Sequence, residues 1–476
     1  MRKIQSEKIE QLLTSKDYRE IKNLFELYPE IDIAEACNEI PIDDSKDIIT
    51  IFRVVKSEYT SEFFNDLDDE HQEAIIKMMT DKEIVSLLDS SSNDDIADFI
   101  EDMPANLVKK ILNNTNKDDR AIINKLLNYK DDSAGSIMAT EYLEFLNTTK
   151  ISDAINKIRE IGKEAETIYT IFVKDSKRNF LGTVDLDDLI FAKNDQTLED
   201  IMNRDFVTVD VNTDQEQVAE LVRRYDLNAI AVLNDDKRLI GIITVDDIVD
   251  VIQEEANEDI ALQAGVAPLE DSYKETGVIK LAFKCIPWLV LLLVIDVFSS
   301  MVLSTFQEAL AKAAILSAFI PTIMDTGGNA GSQTSSLMVR SLALNEYQPK
   351  EYGKIIWKEF RISLIVASIA SLVGFIWFMI EMYVHLVNFP TDTTGLDGYQ
   401  IFEARSGISL LVSGTLFLTI ILSKLLGCIL PLIAKIFHKD PALMSGPLIT
   451  SIVDVSSLLI YFSLFELISN VFRITF

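Results

Sequence analysis

Between residues 285 and 476 the chain strings together five apolar stretches joined by short links, and a soluble fold offers no way to bury all five. Residues 288–305 are apolar apart from Asp296, and 309–339 are broken by Lys312 and Asp325. Residues 362–380 carry no charge, 406–423 carry none and continue past Lys424 to Ile436, and 446–470 contain only Asp454 and Glu466. A helix of ~20 residues crosses the ~30 Å of bilayer hydrocarbon, so each stretch is predicted to span a membrane.

The charge follows the same division. Residues 1–284 hold 33 Lys and Arg against 62 Asp and Glu, whereas residues 285–476 hold 11 against 13. So acidic a first half repels phosphate, which argues against nucleic acid as a partner, and attracts cations. Cys37, Cys285 and Cys428 lie far apart and form no CxxC, so neither a disulfide framework nor a thiolate zinc site is indicated. Three His and no nucleophile–base pair give no sign of an enzyme, and no P-loop motif is present.

The opening MRKIQSEKIE has no apolar h-region, so no signal peptide is expected and the first domain is expected in the cytoplasm. Lys280 and Lys284 precede the first span, and Arg340, Lys350, Lys354, Lys358 and Arg361 fill the link between the second and third. Lys435 and Lys439 lie between the fourth and fifth. The positive-inside rule then puts the N-terminus in the cytoplasm, the C-terminus outside and the 385–407 link outside.

Residues 1–130 read as short amphipathic helices with polar joints, predicting an all-α superhelical cytosolic domain. Ile96, Phe99 and Ile100 form an apolar face, followed by Met103, Leu107 and Ile111 at helical spacing. Asp94 and Asp95 fall at a helix start, where negative charge suits the dipole.

Residues 131–257 contain a duplication, with copies at about 137–200 and 201–257. The copies open on Ile137-Met138-Ala139-Thr140 and Ile201-Met202-Asn203-Arg204. Each continues with a helix pattern, an apolar β-rich segment (TIYTIFV, NAIAVLN) and a glycine-led strand running into a helix start. Offsets of 64 at the start and 59 at the end fit two α/β repeats. The pattern resembles a tandem pair of CBS domains, whose Gly-x-x-Thr/Ser-x-x-Asp ending contacts nucleotide. The second copy keeps it as Gly241, Thr244 and Asp247, which makes Thr244 and Asp247 candidate contacts for ATP. The first copy has Asp185 at the hydroxyl position, where a carboxylate opposes phosphate but tolerates a bare cation.

An acidic connecting helix follows over residues 246–284. Asp247, Asp250, Glu254 and Glu258 recur every three or four residues and share a face. Like charges at that spacing repel, and divalent cations are the simplest compensation, since Mg²⁺ favours oxygen ligands and often keeps its waters.

Two stretches of the membrane half carry polar loads that packing alone does not require. Residues 320–340, IPTIMDTGGNAGSQTSSLMVR, place three glycines, Asn329, Gln333 and several hydroxyls in an apolar setting. Residues 440–457, DPALMSGPLITSIVDVSS, lead into a span with Asp454 inside it, Thr450 one turn before and Ser457 about one turn after. A lone intramembrane carboxylate is costly and is a functional-site hypothesis by default. Thr450, Asn329 and Gln333 are its natural companions around a cation.

These motifs together resemble the MgtE family of magnesium transporters and channels along nearly the whole chain. Gly327-Gly-Asn-Ala-Gly-Ser-Gln333 and Asp440-Pro-Ala-Leu-Met-Ser-Gly-Pro through Asp454 carry the resemblance. It implies a homodimer in the cell membrane, with a pore on the two-fold axis lined by the second and fifth spans, and Asp454 as the pore aspartate for hydrated Mg²⁺. It further implies regulatory Mg²⁺ sites at Asp94, Asp95 or Asp98 and at Asp214, Glu216, Asp226, Asp247, Asp250, Glu255, Glu258 and Asp259. Mg²⁺ is then both cargo and inhibitor: bound to these acids, it draws the cytosolic domains together and closes the pore. The alternatives are a CBS-regulated importer of Co²⁺, Ni²⁺ or Mn²⁺, since first-row metals bind such oxygen sites well, or a non-conducting membrane Mg²⁺ sensor. Lys424 departs from the family pattern and is expected to snorkel or to pair with a carboxylate such as Asp296.

Overall fold

The computed structural model describes residues 4–41, 48–56, 59–101, 103–269, 273, 276–307, 315–384, 398–444 and 446–472. The expected outer link falls largely on residues 385–397, and residues 309–314 open the second apolar stretch; both lie outside the described residues. The chain divides into two units, Met1–Ile252 and Gln253–Phe476.

The first unit begins with ten described helices: Ser6–Ser15, Tyr18–Leu27, Glu30–Asn38, Ile49–Val54, Thr60–Asn65, Asp69–Met78, Asp81–Leu88, Asn93–Glu101, Ala105–Asn114 and Lys117–Leu126 (α1–α10). Local chemistry sets where they start. The Asp17 and Asp68 carboxylates accept from the Glu20 and His71 backbone amides, and Thr80 and Glu83 close a capping box at α7. Each helix buries one apolar stripe, and Phe63, Phe64, Ile75, Ile76 and Ile84 meet in one core with no exposed surface.

Two three-stranded sheets follow, built from β1 (Tyr142–Leu146), β2 (Thr167–Lys174) and β3 (Phe180–Asp185), then β4 (Thr208–Asp210), β5 (Ala229–Leu233) and β6 (Leu239–Thr244). Each has one parallel and one antiparallel pairing in the same order, so the duplication in the sequence is a duplication in space. Helices α11 (Ile151–Ile161), α12 (Leu186–Phe191), α13 (Leu198–Ile201) and α14 (Gln215–Tyr225) complete the copies. The copies exchange segments. Ala139 bridges to Ile242 of β6, and Asn203 bridges to Thr183 of β3. The glycine of each ending makes this approach feasible: a Cβ at Gly182 would meet the Asn203 carbonyl oxygen at 2.2 Å, and one at Gly241 would meet Met138 Sδ at 2.5 Å. This is the expected CBS pair.

The acidic helix α15 (Val245–Gln263) closes the first unit and opens the second. It ends at Gly265, whose φ of +72° is the left-handed cap that satisfies the last carbonyls: Gly265 N donates to Leu262 O and Val266 N to Ala261 O.

The second unit is helical: α16 (Val278–Thr305), α17 (Leu316–Ala343), α18 (Tyr352–Tyr383), α19 (Gly398–Ile436) and α20 (Gly446–Phe472). Among the described residues four segments, Val278–Thr305, Pro349–Tyr383, Arg405–Ile436 and Gly446–Leu467, are long and apolar enough to cross a membrane. The fifth expected span, α17, has 28 residues but is not among them, because its glycines, hydroxyls and amides dilute its hydropathy. α17 packs on α19 and α20 through its small residues. A Cβ at Gly427 would lie 2.3 Å from the Gly331 carbonyl oxygen, and one at Gly328 would lie 2.7 Å from Thr450 Cγ2. Only a backbone stripped of side chains allows helices so close.

Candidate functional site: an open polar stripe and an acidic helix

α17 has two unlike faces. Phe319, Ile323, Gly327, Ala330, Gly331, Thr334 and Met338 are buried against its neighbours. Asp325, Asn329 and Gln333, spaced four apart, stand exposed on the other side. Asn329 Nδ2 donates to Asp325 Oδ2 at 3.2 Å, so the first two polar tips of this stripe are linked. The sequence singled out Asn329 and Gln333, and the structure leaves both side chains open.

α20 supplies the carboxylate. Asp454 is half-buried, and its Oδ1 is enclosed with no hydrogen-bond partner. An enclosed, unanswered carboxylate oxygen is costly in apolar surroundings. Asp296 of α16 and Asp325 of α17 interact with it electrostatically, which concentrates negative charge from three helices. Thr450 is placed differently from a free ligand. Its hydroxyl donates to Gly446 O at 3.0 Å and lies 3.5 Å from Ser332 Oγ, so it knits α20 to α17. Ser457 is fully buried, and its hydroxyl donates to the Asp454 carbonyl at 2.9 Å.

Lys424 does not pair with Asp296. Its ammonium sits 3.1 Å from Glu359 Oε1 of α18 and donates to Thr334 Oγ1 at 2.7 Å. Glu359 stands among Lys358 and Arg361 in the sequence and reads there as part of a membrane-flanking charged run. Tertiary packing turns it inward instead.

In the first unit the regulatory candidates fall into separate groups. Asp94, Asp95 and Asp98 on α8 share a field with Asp247 on α15. Burial, then the neighbouring Asp95 charge, pushes Asp94 up to about 7, and Asp94 Oδ1 is enclosed without a partner. Burial with Asp94 and Asp95 pushes Asp98 up to about 8, although its open edge to solvent limits that shift. Glu166, which no sequence motif marks, joins them. Burial and the charges of Asp94 and Asp247 raise it to about 7, again against an accessible edge. Asp247 is raised by burial, partly offset by Thr244, whose amide and hydroxyl donate to its Oδ2 at 3.1 and 2.6 Å. Thr244 and Asp247, the candidate nucleotide contacts, are thus already bonded to each other. In the first copy Thr170 Oγ1 donates to Asp185 Oδ1 at 3.1 Å.

Asp250 acts on a second group, where burial and the charges of Glu62 and Glu30 push Asp66 up to about 6. Asp214 and Asp226 sit at opposite ends of α14 with local duties. Asp214 accepts from the Glu216 amide at the start, and Asp226 holds the left-handed cap at φ +50°. The second unit contributes a third group. Burial, then Asp440 and Glu258, push Asp259 up to about 6. Asp440 is a residue that sequence spacing did not pair with α15, since it lies far along the chain. Next to this group, Leu262 packs with Val339 of α17 and with Ala442, just ahead of α20. Glu255 completes the expected regulatory set on α15.

Comparison with known proteins finds relatives along most of the chain. Residues 320–464 match a divalent cation transporter family model (MgtE), 28–132 match the MgtE intracellular N domain and 198–254 match a CBS domain. The magnesium transporter MgtE of Enterococcus faecalis is 33% identical over 350 residues, 74% of this chain and 72% of the relative. The magnesium transporter MgtE of Bacillus subtilis is 29% identical over 441 residues, 93% of this chain and 89% of the relative. A solved cytosolic domain of the Mg²⁺ channel MgtE in complex with ATP is 28% identical, with a TM-score of 0.48, covering 52% of this chain and 99% of that structure.

Proposed function

The chain belongs to the MgtE family of magnesium transporters, and from that premise we propose that it is an Mg²⁺-selective channel, admitting the ion to the cytoplasm and closed by cytosolic Mg²⁺. In this reading it is a homodimer with a cytoplasmic N-terminus, an extracytoplasmic C-terminus and five spans, α17 included.

The carrying observation is the open Asp325–Asn329–Gln333 stripe on α17, together with the unanswered Asp454 oxygen on the adjacent α20. Hydrocarbon offers such groups nothing. Two copies facing each other across these helices would enclose a polar path, and a hydrated cation would answer Asp454 through its waters. Mg²⁺ releases its waters reluctantly, so amide, hydroxyl and carboxylate groups that bond those waters suit it. Inward flux needs no nucleotide hydrolysis, because a divalent ion gains ~4.6 kcal/mol per 100 mV of membrane potential.

Control follows from charge. The groups around Asp94, Asp98 and Asp247, around Asp250, and around Asp259 and Asp440 each crowd carboxylates that repel while empty. Mg²⁺ neutralises them. At the third group the consequence is direct, because Leu262 at the end of α15 rests on Val339 and Ala442, beside the ends of both proposed pore helices. Pulling Asp259 onto Asp440 through a shared ion would press that helix end against α17 and α20.

Liposomes containing the full chain and an internal Mg²⁺ indicator test the pore. Influx through the parent, cut at least ~10-fold by Asp454→Ala (an added barrier of ~1.4 kcal/mol), is the expected result. Influx of Mn²⁺, Co²⁺ or Ni²⁺ without Mg²⁺ would transfer the site to another divalent ion. No influx of any of them from folded dimer would leave a sensor.

A further inference from the structure

Lys424 and Glu359 are opposite charges held almost wholly inside the helical bundle, with side-chain exposures of 7% and 14%. Their partner is Thr334, 1% exposed. Thr334 Oγ1 accepts from Lys424 Nζ at 2.7 Å and donates to Glu359 Oε1 at 3.0 Å, while Nζ and Oε1 stand 3.1 Å apart. The triangle closes on itself and joins α19, α18 and α17. Each charge is costly alone in such surroundings and is stabilised only by the other two members.

Thr334 directly follows Gln333. Around it, Ser332 Oγ donates to Gly446 O at 3.3 Å, and Ser335 Oγ donates to Met444 O at 2.9 Å. Ser332, Thr334 and Ser335 are therefore each tied inward, and Gln333 alone in that run stays open. Successive helix residues differ by about 100° in direction. A slip of one residue would carry Gln333 and Asn329 off the open face and present tied hydroxyls instead.

We propose that the Lys424–Glu359–Thr334 triad is a positioning device that fixes the rotation of α17 and so holds Asn329 and Gln333 on the ion path. Lys424 gives its charge to Glu359 and not to the path, where it would repel cations. That the stripe faces an ion path rests on the channel reading above; that the triad sets the stripe's direction does not.

Reconstituted full chain is labelled with a membrane-impermeant maleimide at Gln333→Cys or, separately, Ala330→Cys, with the sites resolved from Cys37, Cys285 and Cys428 by mass spectrometry. In the parent background Gln333→Cys is expected to react at least tenfold faster than Ala330→Cys. Adding Lys424→Met or Glu359→Gln is expected to bring that ratio below threefold. Lys424→Met with Glu359→Gln together leaves no unpaired charge but also no triad, so it is expected to keep the ratio below threefold, whereas the conservative Lys424→Arg is expected to keep it near the parent's. A bundle disturbed merely by an unpaired buried charge would recover the parent ratio in the double variant. Should Lys424→Met fail to fold, Glu359→Gln against Lys424→Arg reads the same question. A ratio unchanged by both single neutralisations overturns the proposal, as does a double variant that recovers the parent ratio. The labelling ratio decides the triad whatever the influx, and Mg²⁺ influx through the parent decides the channel reading.

Discussion

At the residue scale, close approach and charge pairing decide which substitutions matter. Gly427 meets α17 where a Cβ would lie 2.3 Å from the Gly331 carbonyl oxygen. Gly427→Val must push α19 away from α17, and it is expected to destabilise the second unit by about 1–3 kcal/mol, read as a lower melting temperature in detergent. An unchanged melting temperature would show that the helices separate freely. Removing one member of the Lys424–Glu359 pair costs more, about 3–5 kcal/mol for a typical buried pair. Some of these positions were legible in the sequence. Asp454, Asn329 and Gln333 stand out as polar groups in apolar runs, and that contrast alone marks them. Thr450 was legible by position but not by direction, because only the packed Ser332 shows where its hydroxyl points. Glu359, Glu166 and Asp440 were illegible. Each acts across a gap between elements, and local spacing encodes no such partner.

At the scale of elements, the helices that carry acids are held under repulsion. Asp94 is pushed up to about 7, and Asp98 and Glu166, more open to water, are raised in the same direction, against about 4 for free carboxylates. Folded protein therefore keeps protons that unfolded chain releases, so these groups favour folding as pH falls through about 7 and disfavour it above. In the proposed function Mg²⁺ competes with those protons for the same oxygens. Without Mg²⁺, the first unit is expected to melt higher at pH 6 than at pH 8, and the rise in melting temperature on adding Mg²⁺ is expected to be larger at pH 8. A Mg²⁺ effect independent of pH would separate the cation from these carboxylates. The end of α15 makes a sharper prediction. Asp259→Asn combined with Asp440→Asn is expected to leave influx open at internal Mg²⁺ levels that close the parent, and closure at the parent's level would remove this group from control. Strand order and helix type were readable here because the repeat and the apolar periods are local. The exchange of Ala139 and Asn203 between copies was not, although Gly182 and Gly241, which permit it, were visible as motif glycines.

At the scale of the molecule, an acidic unit precedes a bundle whose outer surface is apolar. Leu289, Leu293 and Phe298 on α16, with Ile365, Ile369 and Val373 on α18, stand exposed, as lipid-facing residues do. The polar stripe of α17 stands exposed on that surface as well, and the proposed function seats a second copy and a cation there. The central claim couples the two halves: cations gathered by the acids close the path they came through, so sensor binding and pore closure are reciprocal. One measurement tests it most directly. Full chain in liposomes is given external Mg²⁺ across a series of starting internal Mg²⁺ levels, with influx followed by an internal indicator. Influx that falls steeply as internal Mg²⁺ rises, and is at least ~10-fold lower throughout in Asp454→Ala, is the expected result. Influx through the parent at the same rate whatever the internal level would contradict it.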